Sequence, residues 1–475
     1  MPLFVYNTLS RSKEKFEPIS GKKVNMFVCG QTVYDDAHLG HANMYIFFDV
    51  VARWLRHSGY DLRYVQNITD IDDKIIRRAK EAGKDPIELA RYYEARFLED
   101  MDAIGVKKGV SEYLRSHDYI DAIRSHIQLL LDKGYAYAIG DDIYYNVAKF
   151  KDYTKLSGVK LDELEKHRIE PNPDKINVYD FSLWKAATPG EPSWKIKLAI
   201  EGKDRELSGR PGWHIEDTAM THETFGPQYD LHGGGSDLIF PHHTNEIAQA
   251  EAAFGKKPFV KYWMHVAVMN MKGVKMSKSL RNFITIRELL KSYDSEALRL
   301  LFLSTHYRKG VDYTEALMKD AAKRLSYMYI ALGMFYNMKG GKSGDDDTVG
   351  GIVAELDKNF SDAMNDDFNT PLAQSTLMKA INQLRNFAES HVSVDKDVKD
   401  KAMKKVLELS ATLGVLEKDA YKESIPDEAK QLIRKREELR KQGKFGDADA
   451  IRAELKEKNG ISLEDTEYGT IWYRG

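Results

Sequence analysis

Two hydrophobic rhythms alternate along the first third of the chain. Residues 24–29 form a short apolar run, followed by a turn-rich stretch over 30–37. From 38 to 57 the apolar residues return at helical spacing (Leu39, Ala42, Ile46, Phe47, Val50, Val51, Leu55), and Gly59 is a natural stop. Residues 62–68 read as a second strand and 70–82 as a second helix ended by Gly83. Strand, loop, helix, strand is the rhythm of a doubly wound parallel sheet. Amphipathic helices are predicted over 86–104 and 118–133. Between about 134 and 209 the pattern shifts to short strands and proline-marked turns, which reads as an insertion. The strand–helix rhythm returns over 212–218 and 229–235, with a helix predicted over 241–254. After Asp294 the pattern is nearly all helical. It is broken by a flexible stretch at 340–351 and by the turn at 366–369, before a helix with Thr370 as N-cap and Pro371 as its first residue. A last small module begins near Pro426, and no internal repeat is visible. The expected class is α/β: a Rossmann-like doubly wound domain with an inserted subdomain, then an α-helical bundle and a small C-terminal module.

Composition narrows the possibilities. At roughly 100–200 residues per domain, a chain of 475 residues suggests several domains. A hydrophobic share of 42% with 30% charge excludes global disorder. Lys+Arg of 71 against Asp+Glu of 73 gives a net charge of −2, which argues against a dedicated nucleic-acid coat but leaves local basic patches open. The chain has one cysteine, Cys29, so an intramolecular disulfide and a zinc-finger cluster are both excluded. Any metal site must join at most one thiolate to histidines and carboxylates. No apolar signal core or stretch of the roughly 18 residues a membrane span needs is present. The expectation is a cytoplasmic protein in a reducing compartment, with no membrane partner.

Chemistry is carried first by a pair of motifs. His38-Leu39-Gly40-His41 falls where the first strand's loop enters the first helix, and Lys275-Met276-Ser277-Lys278-Ser279 lies in a polar, glycine-flanked stretch far downstream. Free N–H groups and the positive dipole end of a helix favour phosphate, and Gly40 lets a ligand approach the backbone. The lysine loop supplies two ammonium groups able to neutralise charge growing on a pyrophosphate leaving group. Taken singly, each is also what an ordinary helix start or polar loop looks like. Together, in this order, they resemble the two signatures of class I aminoacyl-tRNA synthetases.

The surrounding words sharpen the resemblance. Residues 29–35 (Cys-Gly-Gln-Thr-Val-Tyr-Asp), 67–74 (Asn-Ile-Thr-Asp-Ile-Asp-Asp-Lys), 212–216 (Gly-Trp-His-Ile-Glu) and 232–237 (His-Gly-Gly-Gly-Ser-Asp) are similar to the cysteinyl-tRNA synthetase family. The likeness extends through 364–371 and the C-terminal Gly469-Thr470-Ile471-Trp472. It implies activation of L-cysteine with ATP and Mg2+ and transfer to the 3′-terminal adenosine of tRNA(Cys). By the same resemblance, His38, His41, Lys275 and Lys278 are catalytic. Gly40, Ser277 and Ser279 join them in holding ATP, and Gly30, Thr69, Trp213 and Asp237 face the amino acid. Core packing is an equal reading of Trp213 from sequence alone.

A metal constellation follows. Pro241 is expected at the first position of a helix, so that His242 and Glu246, four residues apart, share one face and can bind one zinc ion. The family draws its zinc ligands from cysteine at the position of Cys29, a second cysteine, and the residues matching His242 and Glu246. Here the second cysteine is replaced by Asp217. The implied set is therefore Cys29, Asp217, His242 and Glu246, with one zinc per chain. Aspartate is a legitimate but harder zinc ligand, so the ion is expected to be more Lewis acidic and less selective for zinc. The alternative is that Asp217 binds no metal and the site is three-coordinate or empty. A zinc–thiolate bond would separate cysteine from serine by softness, which shape alone does poorly.

Two further readings concern RNA and loop closure. The family usually carries glycine where this chain has Arg281, which would stiffen the lysine loop or add a charge toward phosphate. Residues 430–444 hold seven positive and two negative side chains and read either as a solvated helical face or, beside Tyr468, Trp472 and Tyr473, as a contact for the anticodon end of tRNA. The implied division is a catalytic domain over 1–117 and 210–270, an inserted subdomain over 118–209 and a stem-contact region with the lysine loop over 271–318. A helical tRNA-binding bundle over 319–425 and an anticodon-binding module over 426–475 complete it. A monomer is expected. The rival readings are a tRNA-independent cysteine ligase acting on an amino sugar, which lacks the C-terminal module, and a non-catalytic RNA-binding paralogue. Altered amino-acid specificity through Asp217 is a third. A simple dehydrogenase is disfavoured because no Gly-x-Gly-x-x-Gly follows the first strand.

Overall fold

The computed structural model describes residues 1–159, 172–271, 274–275, 283–341, 344–422, 425–466 and 469–474, with the side chains of 274, 275, 466, 469, 473 and 474 excepted. The chain divides into two compact units, one of residues 2–291 and 307–312, the other of 1, 292–306 and 313–475.

The first unit opens with a hairpin, β1 (Phe4–Asn7) and β2 (Ser12–Lys15), followed by β3 (Lys23–Val28), α1 (Leu39–His57), β4 (Asp61–Ile68), α2 (Asp73–Ala82), α3 (Pro86–Ala103), β5 (Glu112–Arg115) and α4 (Ile120–Asp132). Next come β6 (Ala136–Ile139), β7 (Asp142–Tyr145), β8 (Phe181–Ala186), β9 (Trp194–Ile200) and β10 (Lys203–Pro211), which form an antiparallel sheet in the order β6-β7-β8-β10-β9. The unit continues through α5 (Ile215–Phe225), β11 (Tyr229–Gly235), α6 (Thr244–Phe254), β12 (Val260–Val266), the short strands β13 (Asn270–Met271) and β14 (Val274–Lys275), and α7 (Ile286–Leu289).

Its central sheet is wholly parallel, in the order β12-β11-β3-β4-β5. The central strands are apolar almost throughout, with Met26, Phe27 and Val28 of β3 and Tyr64 and Val65 of β4 fully buried. That is the composition of strands covered on both faces. The chain leaves β3 toward β4 on one side and returns as β11 on the other. This reversal is where ligands bind at the carboxyl edge of such sheets. Cys29 and Gly30 follow β3 there, and Gly233, Gly234 and Gly235 end β11.

The second unit is helical: α8 (Ser295–Leu303), α9 (Glu315–Tyr336), α10 (Asp346–Asn365), α11 (Thr370–Ser390), α12 (Lys396–Leu413), α13 (Asp427–Lys441) and α14 (Phe445–Asn459). It closes with a hairpin of Ile461–Thr466 and Gly469–Arg474, which packs Ile461 and Leu463 against Ala429, Ile451 and Leu455.

Two predicted helix starts are corrected. The helix expected from Pro241 begins at Thr244, after one wide turn over Ile239–His243. Phe240 is extended (φ −138°, ψ 131°), because proline disfavours helical geometry in the residue before it. The cap of α11 is Asn369 rather than Thr370. Asn369 Oδ1 accepts from the Leu372 amide at 3.3 Å, while the Thr370 hydroxyl turns to the Leu303 carbonyl. Asp367 and Phe368 just before it both have left-handed φ (59° and 50°) and are buried, so packing holds this turn in a conformation that costs L-residues energy.

Candidate active site

Six donor side chains meet beneath the carboxyl ends of β3 and β11. Cys29 extends β3, its amide donating to the Gly233 carbonyl at 3.0 Å. Asp217 sits in the first turn of α5, where the helix dipole favours a carboxylate. His232 is inside β11, His242 and His243 are in the wide turn before α6, and Glu246 is in the first turn of α6. Each is almost wholly buried. Cys29 Sγ lies 3.4 Å from Asp217 Oδ2, 3.3 Å from His232 Nε2 and 3.1 Å from His243 Nε2. His242 Nε2 is 3.1 Å from Asp217 Oδ2 and 3.3 Å from Glu246 Oε1. Metal–ligand bonds of roughly 2.0–2.3 Å imply tetrahedral edges of about 3.4 Å, the spacing these atoms have.

The electrostatics of the cluster call for a cation. Burial pushes the Glu246 carboxyl far up, and the neighbouring Asp217 and Glu216 push the same way. The Cys29 thiol is raised by burial and then by Asp217 and Glu246. Burial drives His232 and His243 well down, so both imidazoles are neutral with a lone pair to offer. Neither Glu246 oxygen has a hydrogen-bond partner among the described residues, an expensive arrangement for a buried carboxyl. Thiolate, carboxylates and neutral imidazoles at this spacing fit a divalent ion of the zinc type.

Asn67, the first residue of the 67–74 stretch and one to which the family resemblance assigns no role, ties the cluster to the surrounding loops. It accepts from the Gly30 amide at 2.5 Å and donates to Thr69 Oγ1 at 3.2 Å and to Asp217 Oδ1 at 2.7 Å. One oxygen of Asp217 is thus engaged by an amide while the other faces Cys29 and His242. A Cβ on Gly30 would lie 1.6 Å from the Asn67 carbonyl oxygen, so only glycine permits this approach. The Trp213 ring stacks on His242 with centroids 4.2 Å apart, and Lys74 Nζ sits 5.3 Å over it. Asp237 is exposed in the turn Ser236–Leu238 that follows β11.

The second cluster is the start of α1. His38 is its N-cap: its Nδ1 accepts from the Gly40 amide at 3.1 Å, while the His38 amide donates to His41 Nδ1 at 3.2 Å. The two rings stack, centroids 3.9 Å apart. The expectation of free amides at this helix end is corrected in part. The Leu39 amide donates to Ile284 and the His41 amide to His38, so what this end still offers an anion is the helix dipole and the imidazole edges. The Ile284 bond and a bridge between His38 and Thr285 bring the residues that follow the lysine motif to this helix end. Lys278, Ser277, Ser279 and Arg281 lie outside the described residues, as does the side chain of Lys275.

In the second unit, the basic stretch over 430–444 is not uniformly a surface. Arg436 is fully buried and bonds Asp465 of the closing hairpin at 2.7 and 2.5 Å. Trp472 lines a pocket with Arg385, Lys430 and Arg434. Tyr468 and the side chain of Tyr473 lie outside the described residues. Among the described residues no helix is long and apolar enough to cross a membrane.

Comparison with known proteins adds kinship to geometry. Residues 15–323 match the family of class I (C) tRNA synthetase catalytic domains, 359–417 the DALR domain and 422–472 the cysteinyl-tRNA ligase anticodon binding domain. The chain is 46% identical to a cysteine–tRNA ligase of Thermococcus onnurineus, over 100% of this chain and 99% of that one. It is 44% identical to the cysteine–tRNA ligase of Azotobacter vinelandii, over 99% of each. Among solved structures, methionyl-tRNA synthetase of Mycobacterium tuberculosis in complex with methionyl-adenylate superposes with a TM-score of 0.59 at 14% identity, over 82% of this chain and 89% of that one. A leucyl-tRNA synthetase from Agrobacterium radiobacter has the same TM-score at 10% identity, over 86% and 87%. These two likenesses are of fold.

Proposed function

We propose, from the premise that this chain belongs to the cysteinyl-tRNA synthetase family, that it is a cysteine–tRNA ligase. Full-length identity to cysteine–tRNA ligases is the observation that carries this reading. In the first step a carboxylate oxygen of L-cysteine attacks the α-phosphorus of ATP. The bond to the bridging oxygen breaks and pyrophosphate leaves; Mg2+ entering with ATP would help to offset its charge. In the second, a hydroxyl of the terminal adenosine of tRNA(Cys), the 2′-hydroxyl by class behaviour, attacks the carbonyl carbon. AMP leaves and the hydroxyl proton is lost. Neither step demands a strong general base, so positioning and charge stabilisation account for the catalysis.

The residues divide the work. His38, Gly40 and His41 at the α1 end hold the phosphates, and Lys275 and Lys278, with Ser277 and Ser279, neutralise the departing pyrophosphate. Gly30, Thr69, Trp213 and Asp237 surround the amino acid, with Thr69 held by Asn67 and Trp213 by its stacking on His242. Cys29, Asp217, His242 and Glu246 hold a zinc ion, which when bound supplies a soft contact for the substrate sulfur that serine cannot match. The C-terminal module reads the anticodon end through its basic and aromatic side chains. Its kinship over 422–472 disfavours the tRNA-independent rival. A cytoplasmic monomer with the domain boundaries expected from the sequence completes the proposal. Charging of unfractionated tRNA with labelled cysteine tests it. Cysteine should be incorporated to the level set by tRNA(Cys), and a protein that forms adenylate but charges no tRNA would overturn the reading.

A further inference from the structure

Cys29 and Glu246 belong to two quartets, not one. The first is completed by Asp217 and His242, the second by His232 and His243, and all four donor atoms of each lie within 4.8 Å of one another. The second quartet has the marks of a built site. His243 Nδ1 is 2.8 Å from His265 Nε2, whose own Nδ1 is 2.8 Å from Thr8 Oγ1. His232 Nδ1 is 2.6 Å from the Tyr229 hydroxyl. Outer partners on Nδ1 turn each Nε2 lone pair toward Cys29, the arrangement that orients metal-ligating histidines. Gly234 makes room for it, since a Cβ there would lie 2.7 Å from His243 Cε1. The His232 ring is also fixed by stacking on Trp263, centroids 4.4 Å apart.

We propose that this pocket holds one divalent ion in either of two overlapping positions, the second built by His232 and His243 with Cys29 and Glu246. Donor chemistry gives the reason. The first quartet offers one sulfur, one nitrogen and two hard carboxylate oxygens. The second offers one sulfur, two nitrogens and one oxygen, a softer set better matched to zinc. Its two anionic ligands also neutralise a dication, whereas the first set leaves a net negative charge in a buried place. Asp217, standing where a softer thiolate is usual in the family, makes the second position competitive. The inference rests on the metal reading of the site within the proposed function, and its test reads bound metal, not turnover, so failure of one is distinguishable from failure of the other.

The test is zinc stoichiometry and chelator competition on the full chain, wild type beside Asp217→Ala, His243→Gln and the double variant. Wild type should bind one equivalent. Each single variant should keep one equivalent with less than about a tenfold loss of affinity, and the double should lose more than about a hundredfold, since each position then lacks a ligand. If Asp217→Ala alone weakens binding as much as the double, or wild type takes two equivalents, the inference is overturned. X-ray absorption at the zinc edge of the wild-type protein covers the case in which a variant fails to fold. An average above one imidazole per zinc supports the second position, and a single imidazole overturns it.

Discussion

Asn67 shows how one side chain can hold a substituted site together. Its amide group bridges Gly30, Thr69 and Asp217, three segments that are separate in sequence. Asn67→Ala leaves a buried carboxylate oxygen and a backbone amide without this partner, at about 1–3 kcal/mol for each group stranded. Urea unfolding followed by tryptophan fluorescence should show a clearly lower midpoint, and an unchanged midpoint would contradict the bridging role. His126 makes a separate prediction. It is buried against the Gln249 carbonyl, and burial pushes its pKa down to about 4 from an ordinary 6.5. A depressed histidine means the unfolded chain takes up the proton first, so stability is full above about pH 6.5 and falls as pH drops toward 4. The shift amounts to a loss on the order of 3 kcal/mol. His126→Gln should flatten this acid slope in urea titrations between pH 4 and 6.5, and an identical slope would contradict it. Neither Asn67 nor the second pair of histidines has a local signature. They matter because strand ends converge, which no spacing along the chain reveals.

At the scale of elements, the chemistry sits where chain segments end. The apolar rhythm was enough to locate α1, β3 and β4 to within a few residues, because long periodic stretches carry their own signal. The wide turn before α6 was not legible. Pro241, directly after the extended Phe240, reads as a helix start, yet His242 and Glu246 still face each other at 3.3 Å. The joint between α1 and the segment leaving the lysine loop was equally hidden, since it is made by backbone bonds from Leu39 to Ile284 and from Ile286 to Ala37. That joint supports a paired action of the two motifs. Lys278→Ala should slow adenylate formation by two orders of magnitude or more while leaving ATP binding near normal. Stopped-flow adenylate formation beside equilibrium ATP binding checks it, and a normal rate would remove the lysine from the proposed role.

For the whole molecule, a net charge of −2 and a single cysteine say little about work on tRNA and amino-acid sulfur. Function lies in local departures from those averages. The basic stretch of α13 is divided between structure and surface, with Arg436 buried on Asp465 while Lys430 and Arg434 line the Trp472 pocket. Cys29 is the only sulfur the chain's cysteines can give a metal, and Asp217 removes the second thiolate of the family pattern. In the proposed function, cysteine is therefore recognised by a site with one protein thiolate. Amino-acid-dependent pyrophosphate exchange, run with cysteine and with serine on the metal-loaded and the metal-stripped protein, tests that most directly. Cysteine should drive exchange and exceed serine by more than the roughly 10–200-fold a shape-only pocket allows, and stripping the metal should abolish that margin. Equal exchange with both amino acids on the loaded protein, or a margin untouched by metal removal, would contradict it.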